Sequence, residues 1–287
     1  MSERQIDEVS GVETTGHVWD GIRELNNPLP RWWLWTFYAT IVFAIIYTIL
    51  YPAWPLVNRA TEGLLGYSSR AEGEASVTAG TASQQKFVDA IRSLTVDQIA
   101  ANDELRAFAT AAGAAAFRVN CVQCHGSGAQ GGNGYPNLND DDWLWGGSLE
   151  TLYQTIAHGI RYEADPETRI SEMTPFADML QRDQIAQVAA YVVSLSGTPR
   201  DPSLVPAGKE IYAQNCASCH GEDGKGNREL GAPNLTDAIW LFGSGEEAVA
   251  HQVRTPRNGV MPAWGARLGD TTVKELTLFV HSLGGGE

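Results

Sequence analysis

The chain has 287 residues, 20 basic and 34 acidic side chains for a formal net charge of −14, and 43% hydrophobic residues. At roughly 150 residues per domain this suits about two domains. The acidic balance excludes nucleic acid as a partner, because a phosphate binder needs a basic surface, and the hydrophobic content excludes a wholly disordered chain.

Residues 1–31 carry 6 acidic and 3 basic side chains and are expected to form a short polar tail. From Trp32 to Asn58 no residue is charged. The apolar stretch from Trp32 to Tyr51 has the ~20 residues needed to cross a hydrocarbon layer of ~30 Å. Trp32, Trp33 and Trp35 mark one end and Trp54 the other. At ~1.5 Å per helical residue, Trp35 and Trp54 stand ~29 Å apart, so the indoles fall at both interfaces. A transmembrane helix is therefore expected within 32–55, ended by Pro52 and Pro55. A cleaved signal peptide is the competing reading. Against it, the segment starts behind an acidic head and lacks a small-x-small cleavage site. Arg23 and Arg31 on one side balance Arg59 and Arg70 on the other, so the charge rule leaves the orientation open.

Residues 56–106 are expected to form a linker and helical spacer. Gly63, Gly66, Gly73 and Gly80, with several Ser, Thr and Ala, read as a linker over 59–82. From Gln84 the pattern turns helical through Phe87, Ile91 and Leu94. Thr95-x-x-Gln98 resembles a capping box before a second helix holding Ile99, Leu105 and Phe108.

The remainder repeats. Asn120-Cys-Val-Gln-Cys-His-Gly126 returns as Asn215-Cys-Ala-Ser-Cys-His-Gly221 at an offset of 95 residues. Pro136-Asn137-Leu138 and Trp143 return as Pro233-Asn234-Leu235 and Trp240 at an offset of 97. Met173 returns as Met261, and Tyr191-Val-Val-Ser-Leu195 as Phe279-Val-His-Ser-Leu283, both at 88. The landmarks give two copies of one domain, at 107–199 and 203–287, joined near the prolines Pro199, Pro202 and Pro206. Copies this small need something besides side chains in the core.

The four cysteines, too sparse for a disulfide scaffold, all fall in the two Cys-x-x-Cys-His strings. Such a string is a c-type haem attachment site, in which both thiols form thioethers to the porphyrin and the adjacent imidazole ligates iron. A zinc half-site or a redox Cys-x-x-Cys would explain one string. Two strings inside a repeat do not suit zinc, which wants a second thiol or histidine pair per copy. Two covalently bound haem c groups are expected, on Cys121 and Cys124 and on Cys216 and Cys219, with His125 and His220 as axial ligands. Met173 and Met261 are the candidates for the second axial position. They alone among the methionines match in the repeat, and each closely precedes a proline that stiffens its loop (Met173-Thr-Pro175, Met261-Pro262). Met179 reads as core filler in an amphipathic stretch; His158 and His251 do not match one another and read as surface or propionate neighbours. That each methionine serves its own copy's haem is the simplest assumption. Histidine–thioether ligation raises the reduction potential and closes both axial positions, which predicts electron transfer and no catalytic centre.

Pro136 and Pro233 can offer carbonyls to the outer nitrogens of His125 and His220. Leu138 and Leu235 can pack on the porphyrin face. Trp143 and Trp240 are either indole donors to a propionate or core, and Tyr191 and Phe279 read as packing residues of terminal helices. Covalent haem c is attached on the outer face of the bacterial cytoplasmic membrane. The N-terminus is therefore expected in the cytoplasm and both haem domains in the periplasm.

The head Thr15-Gly16-His17-Val18-Trp19-Asp20-Gly21-Ile22-Arg23-Glu24-Leu25-Asn26-Asn27-Pro28-Leu29-Pro30, running into Trp32-Trp33-Leu34, resembles the cytoplasmic head of subunit III of cbb(3)-type cytochrome c oxidases, a membrane-anchored dihaem cytochrome c. The order of one anchor, a spacer and two haem domains with Met-x-Pro or Met-Pro loops matches as well. The resemblance implies a mainly α chain with one N-terminal transmembrane helix and two tandem class I cytochrome c-like domains. It also implies a role in a proton-translocating terminal oxidase. Electrons would come from a periplasmic cytochrome c donor and pass to a monohaem cytochrome c subunit and the catalytic haem–copper subunit. Residues 111–200 hold 5 basic and 10 acidic side chains, and 201–287 hold 7 and 11. This suits steering of a basic donor, though solubility explains the charge as well. Alternatives are a free-standing membrane dihaem cytochrome or the cytochrome subunit of a periplasmic dehydrogenase, a dihaem peroxidase with an open axial site, and a purely structural anchor.

Overall fold

The computed structural model describes residues 5–237 and 239–284. The described residues are mainly helical, with one N-terminal helix apolar and long enough to cross a membrane, as expected. The chain divides into two compact units, residues 1–82 and 83–287.

In the first unit the expected polar tail contains an antiparallel hairpin, β1 (Thr14–Trp19) and β2 (Ile22–Leu25). The Asp20-Gly21 turn between them has positive φ at both residues, 48° and 86°. Turns of that class match the right-handed twist of the strands they join. Helix α1 (Arg31–Leu50) follows, 20 residues with none buried, and its length of ~30 Å suits a bilayer. The hydroxyls of Thr36, Thr40 and Thr48 donate to the carbonyls of Trp32, Phe37 and Ile45, which leaves no side-chain donor of these residues facing lipid unpaired. Tyr51 is already extended, so the helix stops just before Pro52. The amides of Leu64 and Leu65 return to the carbonyls of Ile49 and Leu50 at 3.0 and 3.1 Å, satisfying the end of the helix.

Helix α2 (Ser69–Ser93) occupies much of the stretch expected as a linker. Its Gly73 and Gly80 are each tolerated at a cost of ~1 kcal/mol against alanine, in a segment otherwise free of helix breakers. In the second unit the capping box forms as expected: the Gln98 amide donates to Thr95 Oγ1 and the Thr95 amide to Gln98 Oε1. The single helix expected after it is two, α3 (Val96–Ala100) and α4 (Asp103–Asn120), because Asn102 accepts from the Glu104 and Leu105 amides and caps a new start. Within the second unit the spacer's residues are packed. Ile91, Val96 and Ile99 are buried with Leu105, Ala109 and Leu278 in one cluster.

The remaining elements are α5 (Val122–His125), α6 (Leu149–His158), α7 (Arg182–Ser196), a 3-10 turn at Pro202–Leu204, α8 (Val205–Asn215), α9 (Ala217–His220), α10 (Glu246–Arg254), α11 (Gly265–Leu268) and α12 (Asp270–His281). They build two lobes. In the first, α4 packs on α12 and α12 on α6; in the second, α7 packs on α8 and on α10. Each lobe therefore draws helices from both sequence copies. The C-terminal helix of the first copy, α7, lies on the N-terminal helix of the second, α8, while the last helix, α12, returns to α4.

Both crossings use the same device. A Cβ on Gly113 would meet the backbone of Glu275 and the Cβ of Phe279, and one on Gly208 would meet the backbone of Gln187 and the Cβ of Tyr191. Gly113 and Gly208 stand 95 residues apart, as Cys121 and Cys216 do, and Tyr191 and Phe279 stand 88 apart. The helices touch backbone to backbone where only glycine fits, with an aromatic ring beside the contact. Tyr191 and Phe279 thus pack as expected.

Candidate haem-binding sites

The attachment strings are built identically. Cys121 ends α4 and opens α5; Cys216 ends α8 and opens α9. The His125 and His220 amides donate to the Cys121 and Cys216 carbonyls at 3.0 and 2.9 Å, so each string forms one tight turn. In each turn the first thiol faces the core and the second, Cys124 or Cys219, is exposed. Asn120 and Asn215 tie the preceding turn by donating to Ala116 and Ile211, both at 2.9 Å.

The expected proline contacts are present. His125 Nδ1 lies 3.1 Å from the Pro136 carbonyl, and His220 Nδ1 lies 3.2 Å from that of Pro233. A carbonyl can only accept, so this pairing assigns the proton to Nδ1 and the lone pair to Nε2. Burial holds both histidines below the usual range, and the proline carbonyls oppose it only partly. Each is a neutral imidazole with its outer nitrogen fixed, the form a metal ligand needs. Burial pushes the Cys121 and Cys216 thiols up to about 11, helped by Cys124 and Cys219. Redox Cys-x-x-Cys pairs carry depressed thiols instead. Among the described residues, no group of three or more His, Cys, Asp and Glu gathers to hold a metal ion. A paired thiol, a neutral imidazole and an apolar surround fit haem c.

The apolar surround comes from both copies. Around Cys121 and Val122 lie Phe117, Leu138, Trp143, Leu152, Ile156 and Met261; around Cys216 and Ala217 lie Ile185, Tyr212, Leu235, Trp240, Val249 and Met173. Leu138 and Leu235 sit in these clusters, as expected of residues lining a porphyrin. Met173 and Met261 are drawn in, each packed against the cluster that holds the cysteine of the other copy.

Met179 departs from expectation: it is 60% exposed, because the loop between Phe176 and α7 turns it outward, and it fills no core. His158 is paired with Asp165 (3.2 Å) and Glu167 (3.4 Å), and His251 is exposed. The residues that sequence reasoning missed are Arg161, Phe176 and Trp264. Arg161 donates from Nε to the Gly259 carbonyl at 2.7 Å and from Nη1 to that of Ser171 at 2.8 Å, two residues before each methionine. It has no repeat signal. Phe176 and Trp264 do, each following its methionine by three residues.

Two family models match. The "N-terminal domain of cytochrome oxidase-cbb3, FixP" covers residues 11–58, and "Cytochrome C oxidase, cbb3-type, subunit III" covers 108–192 and 203–280. The chain belongs to the cbb3-type cytochrome c oxidase subunit III family. Its relatives include the cbb3-type oxidase subunit FixP of Rhizobium meliloti (strain 1021), 63% identical over 99% of this chain and 98% of the relative. FixPc of Rhizobium leguminosarum bv. viciae is 62% identical over the full length of both, and CcoP of Cereibacter sphaeroides is 54% identical over 96% and 95%. As a subunit III chain it is a membrane-anchored, haem c-binding, electron-transfer subunit of a cytochrome c oxidase complex.

Proposed function

We propose that this subunit relays electrons through two haem c groups from a periplasmic cytochrome c donor to the monohaem subunit and the haem–copper subunit of a proton-translocating oxidase. The observation that carries the reading is the pair of matched Cys-x-x-Cys-His turns, each with its histidine Nδ1 on a proline carbonyl. Haem c supplies one-electron transfer when bound; the protein supplies its tethering, ligation and insulation. Cys121 and Cys124 tether one group, Cys216 and Cys219 the other. His125 and His220 would hold the iron through Nε2, with Met173 and Met261 as its other protein ligands. So held, the group would bind no oxygen, and the chain would serve electron transfer with no catalytic residue of its own.

The anchor helix holds both lobes at the cytoplasmic (inner) membrane. Residues 1–31 face the cytoplasm and the segments after residue 56 face the periplasm, where haem c is attached. Mild-detergent purification tests the reading. Two haem c per chain, copurifying copper and b-type haem, and oxygen uptake are expected. Replacing Cys121 and Cys124 together with alanine should remove one haem and abolish uptake. A free-standing chain with undiminished donor oxidation would overturn the reading.

A further inference from the structure

Two arginines and two aromatic residues match in the repeat outside the attachment strings. Arg169 returns as Arg257 at an offset of 88, and Trp145 as Phe242 at 97. The pairs are built alike. The Arg169 guanidinium lies over the Trp145 ring, 5.7 Å from its centroid, and that of Arg257 over the Phe242 ring at 4.7 Å. Each also donates to the carbonyl of its aromatic partner, Nη1 of Arg169 to Trp145 at 3.4 Å and Nη2 of Arg257 to Phe242 at 2.9 Å. Arg169 Nη1 donates to the Thr155 hydroxyl as well, at 3.0 Å, and Gln252 clasps the amide and carbonyl of Arg257 at 3.2 and 3.0 Å. Glycine seats both rings: a Cβ on Gly231 would collide with Trp145, and one on Gly134 would press on Phe242. Gly134 and Gly231 match at 97, each two residues before the proline whose carbonyl holds a histidine.

Both arrangements adjoin an attachment site. Two residues before the rings, Trp143 and Trp240 belong to the clusters of Cys121 and Cys216. Thr155 precedes Ile156 of the first cluster, and Gln252 precedes Val253 of the second. Arg169 is half-buried and Arg257 exposed. Among the described residues neither guanidinium forms an ion pair. Burial alone acts on Arg169 and pushes its guanidinium down, with no carboxylate to oppose it. A half-buried cation is costly until an anion completes it. The bonds above engage one nitrogen of each guanidinium, and the rest of the five-donor fork suits a carboxylate. The carboxylates that haem c brings are its propionates.

We propose that Arg169 and Arg257 anchor the haem propionates, Arg169 at the site of Cys121 and Cys124 and Arg257 at that of Cys216 and Cys219. The proposal rests on the two-haem reading put forward above. The aromatic ring and the carbonyl fix the guanidinium plane, so the fork is oriented before the propionate arrives. Its positive charge disfavours the ferric state and holds the reduction potential up.

The test uses the purified full-length chain, with its haem content measured first. Arg169→Gln should shift a propionate bending mode in the resonance Raman spectrum. It should also raise the ferric-to-ferrous ratio of one haem severalfold at a fixed solution potential, with the other haem unmoved. Arg257→Gln should do the same to the other haem. Cys121→Ala/Cys124→Ala, which leaves only the haem on Cys216 and Cys219, assigns the two: there Arg257→Gln acts and Arg169→Gln does not. Arg169→Lys and Arg257→Lys keep the charge and should keep most of the potential; a fall as deep as in the glutamine variants would overturn the proposal. Unchanged bending modes and potentials, both variants acting on one haem, or the reverse assignment would overturn it too and leave the two-haem reading standing. Fewer than two haem c in the unaltered chain would overturn that reading, and the proposal with it. Should the variants fail to fold, the reduced unaltered chain serves. With isotope-labelled propionate carboxyl carbons and arginine nitrogens, a dipolar coupling between the two is expected at each haem, and its absence would overturn the proposal.

Discussion

The two lobes have the same crossing and are closed in different ways. In the second, α7 and α8 are joined by residues 197–204, so their contact is nearly local. In the first, α4 ends at Asn120 and α12 begins at Asp270, so the contact closes a span of the chain that contains the whole other lobe. Loop-closure entropy grows as the logarithm of length, which puts about 2–3 kcal/mol more on the first lobe. The first lobe has an extra apolar cluster, in which Ile91, Val96 and Ile99 from α2 and α3 pack with Leu105 and Ala109 of α4 and Leu278 of α12. A repeated sequence thus yields one local and one long-range copy of the same contact, and the long-range copy carries the added packing.

The largest effect expected from this asymmetry follows from ending the chain after Gly269. Val273, Leu276, Leu278 and Val280 of α12 are all buried. At ~1.5–3 kcal/mol each, their removal approaches the ~5–15 kcal/mol stability of a whole domain. Amide exchange should show α4 unprotected while α7 and α8 stay protected; equal loss in both lobes would break the distinction.

Valine at the crossing glycines comes next. Gly113→Val and Gly208→Val each force a backbone contact apart and should cost at least ~1–3 kcal/mol. Thermal unfolding of the two variants should shift by similar amounts if the crossings are equivalent, and a clear inequality would show that they are not.

A smaller, pH-dependent difference lies on α12. Burial pushes the Glu275 carboxyl up to about 7, from an ordinary value near 4.5. Its folded-state value lies above its unfolded one, so its stabilising contribution is complete below about 4.5 and is lost as pH rises through about 7. Glu275→Gln should therefore raise the melting temperature at pH 8 and change it little at pH 4.5. The matched residue in the second lobe is Gln187, so that lobe should show no such step. Melts of the two chains at both pH values decide the point.

The smallest effect separates Tyr212 from its counterpart Phe117. The Tyr212 hydroxyl donates to the Gly221 carbonyl at 2.8 Å, beside the second attachment turn. Tyr212→Phe should cost ~0.5–1.5 kcal/mol, read as faster exchange in α8 and α9 with α4 unchanged.

Much of this was readable in order along the chain. The membrane helix, the Thr95–Gln98 capping box, the attachment strings and the proline carbonyls are local features whose chemistry depends on neighbours in sequence or on a few residues of spacing. The hairpin around Asp20-Gly21 was missed, the segment being expected as a polar tail, although a turn pair between β-forming residues signals it. Glycines hid α2, since a composition that looks like a linker can still be helical when nothing breaks it. Met179 was misplaced because amphipathic spacing does not say which side of a loop faces solvent.

The sequence by itself determined that there are two matched Cys-x-x-Cys-His strings and that a helix apolar and long enough to cross a membrane precedes them, because both follow from residue type and short spacing. Only the tertiary structure decided which methionine packs in the cluster of which cysteine. Two near-identical copies offer each C-terminal helix two equivalent partners, with the same glycine and the same aromatic ring, and pattern cannot choose between equals. The connection chooses. The short link of residues 197–204 lays α7 on α8, and α12 then packs on α4.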